Sequence, residues 1–120
     1  DTVELPAVRS DVVHAWHLYV VLLKLDRLSA TRSELFRALR AENIGVNVHY
    51  IPVHLHQYYQ QRFGYQRGDY PLAEAAYDRM LTLPLFPAMS DDDVEDVVTA
   101  VRKVTERYRL AGTRPTVTMK

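Results

Sequence analysis

The sequence predicts one α/β domain, an α+β sandwich in which a small, mostly antiparallel sheet carries helices on one face. Three observations lead there. Stretches of strand character near residues 18–25, 46–51 and 81–87 alternate with stretches of helical period near 32–43, 71–80 and 91–109. Hydrophobic residues make up 48% and charged residues 25% of the 120 residues, which suits a folded domain and excludes a disordered chain. No internal repeat or low-complexity segment points to a solenoid or a fibre.

Residues 1–16 read as irregular, with an extended entry at Leu5-Pro6 and a turn at Arg9-Ser10-Asp11. His17–Leu25 is a continuous β-rich run. Tyr19, Val21 and Leu23 point one way, and Leu18, Val20 and Leu22 the other. A strand apolar on both faces needs cover on both. Thr31-Arg32-Ser33-Glu34 carries the Thr-x-x-Glu capping pattern. The helix behind it buries Leu35, Phe36, Ala38 and Leu39 and ends near Asn43. Val46–Ile51 alternates, is closed by Pro52, and reads as a second strand.

Val53–Tyr65 is dense in aromatic and imidazole groups and has at most two turns of helical period, so it reads as a functional loop. Asp69-Tyr70-Pro71 opens another helix, with Pro71 in its first turn and Leu72, Ala75, Ala76 and Met80 as its buried stripe. Leu81–Pro87 is a short edge strand closed by prolines, with Thr82 opposite Leu81 and Leu83. Ser90 caps the last helix, Asp91, Asp92 and Asp93 fill its first turn, and Val94, Val97, Val98, Val101 and Val104 form its stripe. Residues 110–120 have no period and read as a frayed tail.

Composition excludes several functions. Fifteen basic and fifteen acidic residues cancel, so nothing draws the chain as a whole to nucleic acid or to an anionic membrane. The longest apolar run, Leu18–Leu23, is far short of the roughly 20 residues a spanning helix needs. Without cysteine there is no disulfide scaffold, no Cys-type zinc site and no thiol nucleophile. Walker, Rossmann and Gly-x-Ser-x-Gly patterns are also missing. His49, His54 and His56 cluster, but no carboxylate lies between Glu42 and Asp69 and the spacing fits no zinc signature, so no metal is assigned. Tyr50, Tyr58, Tyr59, Phe63, Tyr65 and Tyr70 are interleaved only with Arg62 and Arg67, too few cations for a base-stacking groove. The chain begins Asp1-Thr2-Val3-Glu4, with neither an initiator Met nor a signal sequence, and is expected to be a processed or excised piece of a longer protein.

The most specific stretches are Ile44-Gly45-Val46-Asn47-Val48-His49-Tyr50-Ile51-Pro52-Val53-His54, then Tyr70-Pro71-Leu72-Ala73-Glu74, then Leu81-Thr82-Leu83-Pro84-Leu85-Phe86-Pro87-Ala88-Met89-Ser90-Asp91. With His17-Leu18-Tyr19-Val20-Val21 upstream, they resemble the DegT/DnrJ/EryC1/StrS sugar aminotransferases; Gln57 departs from the proline many relatives carry there.

The resemblance implies the C-terminal small domain of a fold-type-I transferase that uses pyridoxal 5'-phosphate (PLP), cytoplasmic and homodimeric when full length. Such an enzyme would move an amino group from glutamate to the 4-keto carbon of a nucleotide-linked deoxysugar in bacterial surface-polysaccharide or glycan biosynthesis. The cofactor lysine would lie in the large domain of the same polypeptide. Lys24, Lys103 and Lys120 sit in no cofactor context, so no catalytic or cofactor-binding residue is expected here and the piece alone is expected to be inactive. His49, Tyr50 and His54 are the expected substrate-facing residues, with Asn47 a further candidate. Imidazole and phenol groups can donate to or accept from sugar hydroxyls at small desolvation cost. His56, Tyr58 and Tyr59 are expected to be structural or interface groups. The competing readings are a free-standing ligand- or protein-binding module using the His/Tyr loop 49–65 and a metal-binding protein using His49, His54 and His56. No nucleic acid or membrane partner is expected.

Overall fold

The structure is a computed structural model that describes residues 1–112; the rest of the expected tail, 113–120, lies outside the described residues. In chain order the elements are β1 (Val3–Glu4), β2 (Tyr19–Leu23), α1 (Arg32–Ala41), α2 (Gln57–Phe63), α3 (Pro71–Arg79), β3 (Met80–Leu83) and α4 (Asp91–Arg107). Short 3-10 turns stand at Leu25–Arg27 and Val53–Leu55.

The three strands form one antiparallel sheet in the order β1-β2-β3. Val3 and Glu4 pair with Leu23 and Leu22, and Tyr19 to Leu22 pair with Leu83 back to Met80. Alternation along the strands turns Val21, Leu23 and Leu81 to one side. There they join Leu35 and Leu39 of α1 and Val97, Ala100 and Val104 of α4 in a single core. Leu18, Val20 and Leu22 of the opposite face are half-buried, and α3 packs against β2.

Local chemistry sets the helix ends. Thr31 Oγ1 accepts from the Glu34 amide at 3.3 Å while Glu34 Oε2 accepts from the Thr31 amide at 2.8 Å, the reciprocal capping box read from the sequence. Asn43 takes a left-handed turn (φ 62°) at the other end of α1. Ile44 N–H then donates to Leu39 O at 3.0 Å and Asn43 N–H to Arg40 O at 3.1 Å, a Schellman ending whose Ile44 drops into the core beside Leu39. Ser90 and Asp93 repeat the capping box at α4, at 2.8 and 3.2 Å.

Several expectations are corrected. Val3–Glu4 is a strand, not irregular chain, because β2 supplies its partner; Lys24 N–H extends the pairing to Thr2 O at 2.8 Å. Val46–Ile51 is not a strand. Only Asn47 pairs, with Thr82, through bonds of 3.0 and 2.8 Å. The next amide, Val48, points away from β3, as alternate amides of an antiparallel pair do, and donates to the Asn47 side chain at 2.8 Å; no later residue of the stretch pairs with β3. Residues 57–63, expected as loop, form α2, which stops at Gly64 in a left-handed conformation (φ 75°). The stripe expected on α3 is turned around: Leu72 is 88% exposed, Ala75 is exposed, and the buried residue is Glu74. Val94 of α4 is also exposed. Leu110, assigned to the tail, donates to Arg27 O at 3.0 Å, while Arg27 Nη1 donates to Asp1 O at 3.2 Å.

Candidate functional site

Thr82 lies on the face of edge strand β3 away from the core and is buried. Its outward backbone groups bond Asn47, which fixes the start of the segment from Asn47 to Leu55. His49 is half-buried, with Nδ1 3.0 Å from Thr82 Oγ1. The Tyr50 ring meets the His49 ring edge-on at 4.9 Å and is 69% exposed. Ile51 and Val53 are exposed as well, so the segment bows outward past Tyr50. It returns through Pro52 and the 3-10 turn, where Leu55 N–H donates to Pro52 O at 2.9 Å.

His54 is only 6% exposed. Its Nε2 lies 2.8 Å from Glu74 Oε1 on α3, and its ring stacks at a tilt 4.8 Å from Tyr70. The Glu74 carboxylate also accepts from Gly68 N–H at 2.8 and 3.0 Å and from Tyr70 N–H at 3.3 Å. Arg67 Nε stands 3.9 Å away, with the same guanidinium paired to Asp78. Burial alone would raise the Glu74 pKa. The hydrogen bond from His54, the Gly68 and Tyr70 amides and the charge of His54 outweigh it and hold the carboxyl below its ordinary value.

Beside the segment lies a cleft of about 330 Å³ lined by Arg32, Ser33, Phe36, Arg37, Asn47 and Val48. Arg32 is tethered by a bond from Nη1 to Tyr77 O and by its position over the Tyr77 ring. Two guanidiniums beside the exposed Asn47 amide make a surface that can take an anion, with half-buried His49 and exposed Tyr50 following on the same segment.

Asn47, His49 and Tyr50, three of the residues expected to face substrate, thus come together on one outward segment, and His54 is placed behind it against α3. His56 Nε2 reaches Ile51 O at 3.3 Å, inside the segment. Thr82 and Glu74 were not singled out from the sequence. Thr82 gave a partial signal as the polar residue of an apolar strand. Glu74 gave a weaker one: it stands in the first turn of α3, where its carboxylate can accept from the amide of the preceding N-cap residue, Tyr70. Among the described residues no group of three or more His, Asp or Glu is placed to hold a metal ion, and no helix is long and apolar enough to cross a membrane.

Comparison with known proteins places the sequence and the fold. The spore coat polysaccharide biosynthesis protein SpsC of Bacillus subtilis is 53% identical over 102 residues, covering 84% of this chain and 26% of SpsC. The uncharacterized protein MJ1066 of Methanocaldococcus jannaschii is 48% identical over 104 residues, covering 87% of this chain and 27% of MJ1066. The putative sugar aminotransferase Spr1654 of Streptococcus pneumoniae, in its PMP form, superposes with a TM-score of 0.77 at 27% identity, covering 88% of this chain and 26% of that one. The chain therefore spans about a quarter of the length of the relatives it matches. The family described as DegT/DnrJ/EryC1/StrS aminotransferases matches residues 2–102, nearly the whole described fold, and the chain belongs to that family.

Proposed function

We propose that this chain is the C-terminal small domain of a cytoplasmic, homodimeric sugar aminotransferase and forms one wall of its substrate cleft. The full enzyme transfers an amino group from glutamate to the 4-keto carbon of a nucleotide-linked deoxysugar in bacterial surface-polysaccharide biosynthesis. Within that class we place it nearest the transaminase that forms UDP-4-amino-4,6-dideoxy-N-acetyl-β-L-altrosamine. One observation carries the reading: Asn47, His49 and Tyr50 stand on a segment pinned at Thr82, beside a cleft lined by Arg32 and Arg37. The arginines suit the diphosphate of a sugar nucleotide, and the imidazole and phenol suit its hydroxyls. The relation to SpsC and the quarter-length coverage support the same reading.

PLP serves this family, Spr1654 having PMP and PLP forms. It supplies the electron sink for moving the amine. Its lysine partner is proposed to come from the large domain rather than from this chain. Lys24 follows β2, its amide bonded to Thr2, and Lys103, on α4, donates from Nζ to Glu42 at the end of α1 at 2.7 Å; neither lines the cleft at Asn47. The share of this domain is to bind and orient the sugar.

The test is the full-length enzyme given glutamate and a UDP-linked 4-keto-6-deoxysugar, followed by 2-oxoglutarate release. Tyr50→Phe and Arg37→Met are each expected to raise KM for the sugar nucleotide by about tenfold, the loss of one hydrogen bond to a charged or polar group. An unchanged KM in both variants, or transamination by the 120-residue chain alone, overturns the proposal.

A further inference from the structure

α3 has an inverted surface. Its large apolar residue Leu72 is 88% exposed, while the carboxylate of Glu74, two positions on, is 6% exposed. Apolar burial does not orient this helix at Glu74. Polar contacts do, since a buried carboxylate is tolerated only when its oxygens are satisfied.

Those contacts have a definite logic. An ionised carboxylate only accepts, so His54 Nε2 carries the hydrogen in the 2.8 Å bond to Glu74 Oε1. Gly68 N–H points between both oxygens and Tyr70 N–H reaches Oε1. All three donors reach Oε1, and Gly68 N–H is shared with Oε2 at 3.0 Å. Glutamine with its oxygen at Oε1 would set its NH2 in the Oε2 position, against the Gly68 amide.

The effect reaches the outward segment. His54 sits inside the Val53–Leu55 turn, which is closed by the Leu55–Pro52 bond and continued by His56 N–H donating to Val53 O at 3.2 Å. The segment is held at two posts, Thr82 at its start and Glu74 at its end, and Tyr50 to Val53 bow out between them.

We infer that Glu74 is a positioning residue: through His54 it sets the stance of Asn47 to Tyr50 toward the sugar. The inference rests on the functional reading above and adds to it a residue that touches no substrate.

The experiment uses the full-length holoenzyme and follows its two half-reactions separately by cofactor absorbance, glutamate with the PLP form and sugar nucleotide with the PMP form. Glu74→Gln is expected to raise KM for the sugar nucleotide about tenfold, since a small misplacement of binding groups is costly. The glutamate half-reaction should stay within about twofold. His54→Leu should reproduce this split. His54→Gln, which keeps a donor near the Nε2 position, should restore most of the wild-type KM. The double variant Glu74→Gln/His54→Leu should be no worse than either single, as expected of groups acting through one contact. Equal loss in both half-reactions, or an unchanged sugar KM, overturns the inference. If Glu74→Gln fails to fold, the comparison of His54→Leu with His54→Gln decides it. A wild-type enzyme that accepts glutamate and refuses every nucleotide-linked keto-sugar overturns the functional reading, and this inference falls with it.

Discussion

Leu35 and Leu72 are chemically identical and physically opposite. Leu35 is fully buried between α1, the sheet and α4, whereas Leu72 points to solvent. Leu35→Ala is expected to cost about 2–5 kcal/mol, because the lost methyl groups leave a cavity. Leu72→Ala should stay within about 0.5 kcal/mol. Urea unfolding monitored by circular dichroism measures both. The sequence made Leu35 legible, since Leu35, Phe36 and Leu39 repeat at helical spacing behind a cap. It made Leu72 look the same, since Leu72, Ala75 and Ala76 also share a face. What separates them is a partner remote in sequence: Glu74 is drawn inward by His54, twenty positions earlier, and no local pattern encodes that pairing. For the same reason His54 could be picked out as unusual but not placed behind the segment it belongs to.

Among the elements, those written in local chemistry were the readable ones. The capping box at Thr31, the cap at Ser90, the proline start of α3 and the edge position of β3 follow from a few adjacent residues. Thr31→Ala and Ser90→Ala are each expected to destabilise by about 1 kcal/mol, the usual worth of an N-cap. They cap different helices and share no partner, so the double variant should lose about the sum. Thermal melts of the four proteins test this, and a double variant no worse than one single shows that only one cap matters. Elements that depend on a distant partner were misread. Two residues of β1 carry no strand signal of their own, yet β2 completes them. Val46–Ile51 has the alternation of a strand, but β3 offers it a partner only at Thr82, and His49 turns its ring to the Thr82 hydroxyl rather than pairing its backbone.

The described residues respond to acid through four lowered carboxyls: Asp11, held down by the Arg9 side chain on an exposed turn, and three that belong to the helices. Glu34 is held below its ordinary 4.5 by the Thr31 amide first and the Thr31 hydroxyl next. Asp93 is held below 3.8 by the Ser90 amide and then the Ser90 hydroxyl. Glu74 is lowered from 4.5 although burial opposes it. A carboxyl with a lower pKa when folded lends stability that is complete above its unfolded value and fades as pH falls through the folded one. The melting temperature is therefore expected to be level from neutrality to about pH 5 and to fall below it. Thr31→Ala and Ser90→Ala, which remove the hydroxyl's share of these shifts, should make that fall shallower in melts recorded from pH 7 to about 3.

The 3-10 turn at Leu25–Arg27 receives the backbone from two directions, Asp1 through the Arg27 guanidinium and Leu110 through the Arg27 carbonyl. Entry and exit of the described fold are thus neighbours, so the order in which its parts are strung is separable from the contacts they make. A circular permutant that bridges Gly112 to Asp1 with a short glycine linker and opens between exposed Val12 and Val13 closes only a short loop, a small entropic cost. It should melt cooperatively, close to the parent; a broad, non-cooperative melt shows instead that connectivity itself is needed.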